Sequence, residues 1–145
     1  MKKSAYIFLL IVLAFTSKSQ NKINSLNLTA LNWQNAILRA DGQTAIDGVE
    51  AYCSKAICGN EEFVFIKFVN KNEYKLVVQW VDAIFVNGTW FYSKNQNPVK
   101  IQLDANNDTA GECEGSEKLK VKISSIINNP KDFQHYTVSG LQITK

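Results

Sequence analysis

The sequence predicts an all-β fold, an antiparallel immunoglobulin-like β-sandwich of about seven strands. Three observations predict it. Short stretches that alternate apolar and polar side chains recur along the chain. Turn-forming Asn, Asp, Gly and Pro residues separate them at strand-length intervals. The run Glu62–Tyr92 holds most of the apolar bulk and contains Asn87-Gly88, the strongest hairpin signal in the chain.

Residues 1–19 stand apart from that fold. Met1-Lys2-Lys3 is a short basic segment, Ala5 to Phe15 is an unbroken apolar run, and Ser17 and Ser19 are small residues where a signal peptidase reads. An eleven-residue apolar run is shorter than the roughly 20 residues a spanning helix needs. The expectation is a cleaved secretory signal ending at Ser19, no permanent membrane span, and a secreted or periplasmic protein. No Cys lies near that junction, so a lipid anchor is not expected. Cleavage also changes the charge. The chain carries 16 basic and 13 acidic side chains, and loss of Lys2, Lys3 and Lys18 leaves thirteen of each. A balanced chain without a clustered basic face argues against a nucleic-acid partner.

Residues 20–48 read as an N-terminal arm or a short helix. Ile23, Leu26, Ala30, Trp33 and Ile37 fit one helical face, whereas Leu26 and Leu28 fit alternation. Either a helix over Ala30–Arg39 or an extended arm satisfies the pattern. Asp41-Gly42 and Asp47-Gly48 then turn the chain into the sandwich domain, residues 49–145.

Val49–Cys53 opens that domain as a short strand, and Cys58-Gly59-Asn60 turns it. Phe63–Val69 is apolar almost throughout, as a strand buried on both faces would be. Asn70-Lys71-Asn72-Glu73 has hairpin length, so the next strand is expected to pair with it in a three-stranded meander. Tyr74, Leu76, Val78, Trp80, Ile84 and Val86 share the core-facing parity, and Asp82, which interrupts them, marks a bulge or bend. A two-residue loop at Asn87-Gly88 pairs Val86 with Thr89, Phe85 with Trp90, Ile84 with Phe91 and Ala83 with Tyr92. Val99–Leu103 alternates cleanly. Asp104–Glu117 is a polar loop with at most a short strand near Cys113. Leu119, Val121 and Ile123 alternate with lysines on a solvated strand face. Tyr136/Val138 and Leu141/Ile143 change phase at Ser139-Gly140, as a β-bulge would make them.

Cys53, Cys58 and Cys113 leave one thiol unpaired in an exported chain. Cys53–Cys58 would close a tight turn. Cys58–Cys113 would close a long loop and stabilise by about 4 kcal/mol against about 2 for the short one. A catalytic thiol is not expected, because nothing near the cysteines in sequence supplies a base. The single His135 excludes ordinary poly-His zinc sites, and no phosphate loop or serine elbow is present. Asp104, Asn106 and Asp108 begin like a calcium loop, but Thr109 replaces the turn glycine and Gly115 the bidentate Glu. No metal and no cofactor are therefore assigned, and the reading is non-enzymatic. Asn27, Asn87 and Asn107 head N-glycosylation sequons, a weak signal in so Asn-rich a chain.

The hairpin register turns Trp80 inward and sends Phe85, Trp90 and Tyr92 to the opposite face with Val77 and Val81. Those three aromatics are the candidate contact surface for a glycan or protein. Their alternative role is to be covered by residues 21–40. The module's ligand stays open at this stage: a carbohydrate-binding module using that patch, or a small hydrolase or hydrolase inhibitor, are the rival readings.

The segment Ser17-Lys18-Ser19-Gln20-Asn21 and the run Phe65–Lys75 through Trp80 resemble small exported proteins of Bacteroidota. That resemblance supports Cys58 as the bridging cysteine. Asp108-Thr109-Ala110 is similar to the O-glycosylation signal of those bacteria. The resemblance implies no activity and no cofactor.

Overall fold

The computed structural model describes residues 31–145, and the expected signal segment lies outside the described residues. Among the described residues, ten strands form two antiparallel sheets: β1 (Gln34–Asn35), β2 (Ala45–Ile46), β3 (Val49–Cys58), β4 (Glu61–Asn70), β5 (Leu76–Val86), β6 (Thr89–Tyr92), β7 (Val99–Leu103), β8 (Asn107–Ala110), β9 (Lys120–Lys122) and β10 (His135–Thr144). The first sheet runs β1-β3-β4-β8, with β2 also on β3 and β9 also on β4. The second runs β10-β5-β6, with β7 sharing the β6 edge of β5. The chain changes sheets after β4, β7 and β9, the crossing habit of immunoglobulin-like sandwiches. No helix among the described residues is long and apolar enough to cross a membrane.

Alternation decides which side chains fill the space between the sheets. Val49, Ala51 and Cys53 from β3 and Val64, Ile66 and Phe68 from β4 face Leu76, Val78, Trp80 and Ile84 of β5 and Tyr136 and Val138 of β10. Phe68 and Trp80 meet with ring centroids 4.8 Å apart. Asp82 does not bend β5, contrary to the sequence expectation. The strand runs through it in register with Val138, and the carboxylate lies in the core. Trp80 Nε1 and the Tyr136 hydroxyl both donate to Asp82 Oδ1, at 2.8 and 2.5 Å. Those two bonds meet the cost of burying the oxygen. The bulge instead lies in β10 between Ser139 and Gln142, with Gly140 at φ 60°, where the phase change predicts it.

The expected three-stranded meander is only half present. β5 and β6 form the hairpin, with every predicted pair in place and φ of 46° and 86° at Asn87 and Gly88. β4, however, pairs with β3, β8 and β9 and not with β5. The reason is the buried Asn70 at the end of β4. Its Nδ2 donates to the carbonyls of Tyr74 and Asp104, and its Oδ1 accepts from the Asn72 amide. Those bonds fold residues 71–75 into a corner that delivers β5 to the other sheet, and Tyr74 becomes an exposed loop residue.

Residues 31–40 contain no helix. They are extended, and Ala36 ties the sheets together: its amide donates to the Ala51 carbonyl, and its carbonyl accepts from Val138 N and Thr137 Oγ1. Cys58 and Cys113 form the disulfide, and Cys53 is the free, buried cysteine. The bridge holds residues 111–119 over one end of the first sheet's outer face. There Phe65 is fully buried, opposite Lys120. The Lys120 side chain is only 10% exposed and donates to the Cys113 carbonyl, so this lysine is not on a solvated face. Gly111 makes the closure possible: a Cβ there would stand 2.0 Å from the Leu119 carbonyl oxygen.

Candidate functional site

The predicted aromatic face lies on the outside of the second sheet. Phe85 pairs with Trp90 and Ala83 with Tyr92, while His135 and Thr137 of β10 sit opposite Phe85 and Ala83. The Phe85 and Trp90 rings approach to 5.0 Å at a 50° tilt, and Trp90 meets His135 edge-on at 6.4 Å. The three rings therefore spend much of their apolar area on each other, and Phe85 and Trp90 are half-buried. Tyr92 remains 42% exposed. Leu38 and Arg39 of the extended N-terminal segment border the same hollow of about 320 Å³ as Trp90 and Tyr92. That segment flanks the patch without covering Tyr92. Polar partners there are already engaged: Arg39 holds Asp41 through three bonds, and Thr137 donates to Ala36. Phe91 takes the core-facing parity yet is 41% exposed, because β6 is a four-residue edge strand.

A larger concavity, about 510 Å³, lies on the outer face of the first sheet. It occupies the half that the disulfide-tied loop leaves open. Alternation places Glu50 and Tyr52 of β3, Lys67 and Val69 of β4, and Asp108 of β8 on this face. Tyr52 stands opposite Lys67, and Val69 stands between Glu50 and Asp108. Trp33 adds a wall just before β1, and Lys71, Asn106 and Asn107 close the end near the Asn70 corner.

The charges in this groove are paired. Lys67 Nζ lies 2.9 Å from Asp108, and Lys71 Nζ 3.7 Å from Glu50. The Tyr52 hydroxyl donates to Glu50 Oε2 at 2.9 Å. Lys67 holds the Asp108 carboxyl below the usual carboxylate range, first by hydrogen bond and then by charge. Partial burial, followed by the Glu50 contact, pushes the Tyr52 phenol up. Two aromatic side chains beside two carboxylates and two ammoniums can stack on a ligand and hydrogen-bond it from several sides.

The other chemical candidates separate in space. Asp104 faces Lys75 and Asp108 faces Lys67, so the calcium-like loop does not converge its oxygens, and β8 begins inside it. No cluster of three or more His, Cys, Asp or Glu side chains positioned for a metal occurs among the described residues. Burial pushes the Cys53 thiol up to about 12, so it is not a thiolate at neutral pH. Thr109 stands opposite core-facing Phe68, an inward position for the residue of the O-glycosylation signal. The Asn27 sequon lies outside the described residues.

Sequence reasoning missed the groove because Trp33 fits a helical face and β1 is two residues long. The available signal was the polar parity of β3, Glu50 and Tyr52, matched to Lys67 and Val69 across the Gly59-Asn60 turn. Comparisons with protein-family models, curated proteins and solved structures give no match.

Proposed function

We propose that the protein is an exported, non-enzymatic binding module, secreted or periplasmic, that offers the open groove of its first sheet to a ligand. The observation that carries this reading is the groove itself, a concavity of ligand size floored by a rigid sheet and lined by Trp33, Tyr52 and two ion pairs. Export is supported by the Cys58–Cys113 disulfide, a bond of oxidising compartments. The basic and apolar start of the sequence is the segment that would direct it. Binding rather than catalysis is supported by the state of the groove's acids. A general acid needs a raised carboxyl pKa, whereas Lys67 pulls Asp108 the other way.

The test is a thermal-shift screen of the purified protein against neutral saccharides, anionic saccharides, peptides and nucleotides, with NMR of each ligand before and after. A rise in Tm with one class, and no chemical change in it, is expected. Turnover of the stabilising compound, or no stabilising class, would contradict the proposal. A protein contact through the second sheet is the alternative, favoured by the exposure of Leu38 and Tyr92 around one hollow.

A further inference from the structure

We infer that the groove on the first sheet binds a neutral oligosaccharide, with pyranose rings lying against Trp33 and Tyr52 and hydroxyls bonded by the Glu50–Lys71 and Lys67–Asp108 pairs. The inference rests on the binding-module reading and adds the ligand's chemical class.

Three properties point to that class. The groove spans β3, β4 and β8, two strand spacings or about 10 Å, and Trp33 extends it beyond β3, enough for more than one sugar ring. Its two carboxylates and two ammoniums give a formal charge of zero, and each cation is already beside an anion. An anionic or cationic ligand would have to break one of these pairs and leave a like charge facing it. A hydroxyl, in contrast, both donates and accepts. It can bond a lysine and a carboxylate that sit side by side without separating them, and such charge-assisted bonds are stronger than neutral ones. The third property is the aromatic and aliphatic surface of Trp33, Tyr52 and Val69, which suits the C–H face of a pyranose ring. The second sheet's aromatics lack this combination: their rings tilt against each other, and Arg39, which borders the hollow beside them, is held by Asp41.

The experiment is titration of cellobiose, maltose, xylobiose, mannobiose and chitobiose, and their tetrasaccharides, into the purified protein, read by calorimetry and Trp fluorescence. At least one series is expected to bind, the tetrasaccharide more tightly than the disaccharide. Affinity should change less than twofold between 50 and 500 mM salt, because a neutral ligand releases no counterions. Trp33→Ala should weaken binding about tenfold or more, and Glu50→Gln, which keeps the groove's shape, by about fivefold, while Trp90→Ala leaves it within twofold. Melting curves of each variant separate lost binding from lost folding, and Glu50→Gln decides the matter if Trp33→Ala fails to fold. Three results would overturn the inference: no neutral saccharide binding at millimolar concentration, binding that falls steeply with salt, or binding lost in Trp90→Ala and kept in Glu50→Gln. Stabilisation by a peptide or charged glycan in the broader screen would then leave the binding module standing without its sugar.

Discussion

The two outer faces of this sandwich contain similar numbers of aromatic residues and arrange them in opposite ways. On the second sheet, Phe85, Trp90 and His135 pack against one another and the polar groups beside them are used internally. On the first sheet, Phe65 is sealed under the disulfide-tied loop, while Trp33 and Tyr52 border an open hollow beside paired charges. Aromatic content alone therefore does not mark a site. What distinguishes the first face is aromatic surface next to fixed donors and acceptors that no neighbour fully consumes.

The largest expected effect separates the sealed outer face from the half-open one. Phe65→Ala should cost about 3–4 kcal/mol, as for a fully buried ring, and Phe85→Ala about half that, because Phe85 keeps part of its surface in water. Equal losses in urea denaturation would erase the distinction. Next, Cys113→Ser should lower stability by about 2–4 kcal/mol by freeing the loop over Phe65. A smaller loss on Gly111→Ala than on an exposed loop alanine substitution would contradict the tight closure against Leu119.

The pH dependence sharpens the contrast between core and groove. Burial pushes the Asp82 carboxyl up, against the pull of its bonds from Tyr136 and Trp80, whereas Lys67 pulls Asp108 down. A raised folded pKa means the native state holds the Asp82 proton longer than the unfolded chain does. Its contribution to stability is complete below the unfolded value near 3.8 and is lost as pH rises through the folded value. Asp82→Asn should therefore gain on the parent as pH climbs from about 4. Parallel melting curves across pH 4–8 would show that Asp82 does not titrate this way. The smallest expected effect is that of Tyr52→Phe, about 0.5–1 kcal/mol for a half-buried bond to Glu50. A loss above 2 kcal/mol would make Tyr52 a structural residue and not a groove lining.

Local chemistry was the legible part of the fold. Asn87-Gly88 carries its register because this dipeptide accepts the two positive φ values of a type I′ turn, which joins two strands through two residues. The phase slip at Ser139-Gly140 locates its bulge for a similarly local reason. Cys58–Cys113 was legible only as one of two favoured pairings among the three that three cysteines permit. The change of sheet after β4 was not legible, since a four-residue polar loop serves a hairpin and a corner equally. It depends on Asn70 reaching Asp104, a contact across 34 positions. Asp82 was misread because its partners include Tyr136, 54 residues away. The groove is the extreme case, with Trp33, Tyr52, Lys67 and Asp108 brought together from four separate segments.

Backbone NMR with a bound tetrasaccharide reports both outer faces in one spectrum and so decides which of them holds the ligand. Amide shifts are expected to concentrate at Glu50, Tyr52, Lys67, Val69 and Asp108, with the Trp33 indole signal, and to leave Phe85, Trp90 and Tyr92 unmoved. Shifts centred on Trp90 and Tyr92, with the first sheet silent, would contradict that expectation.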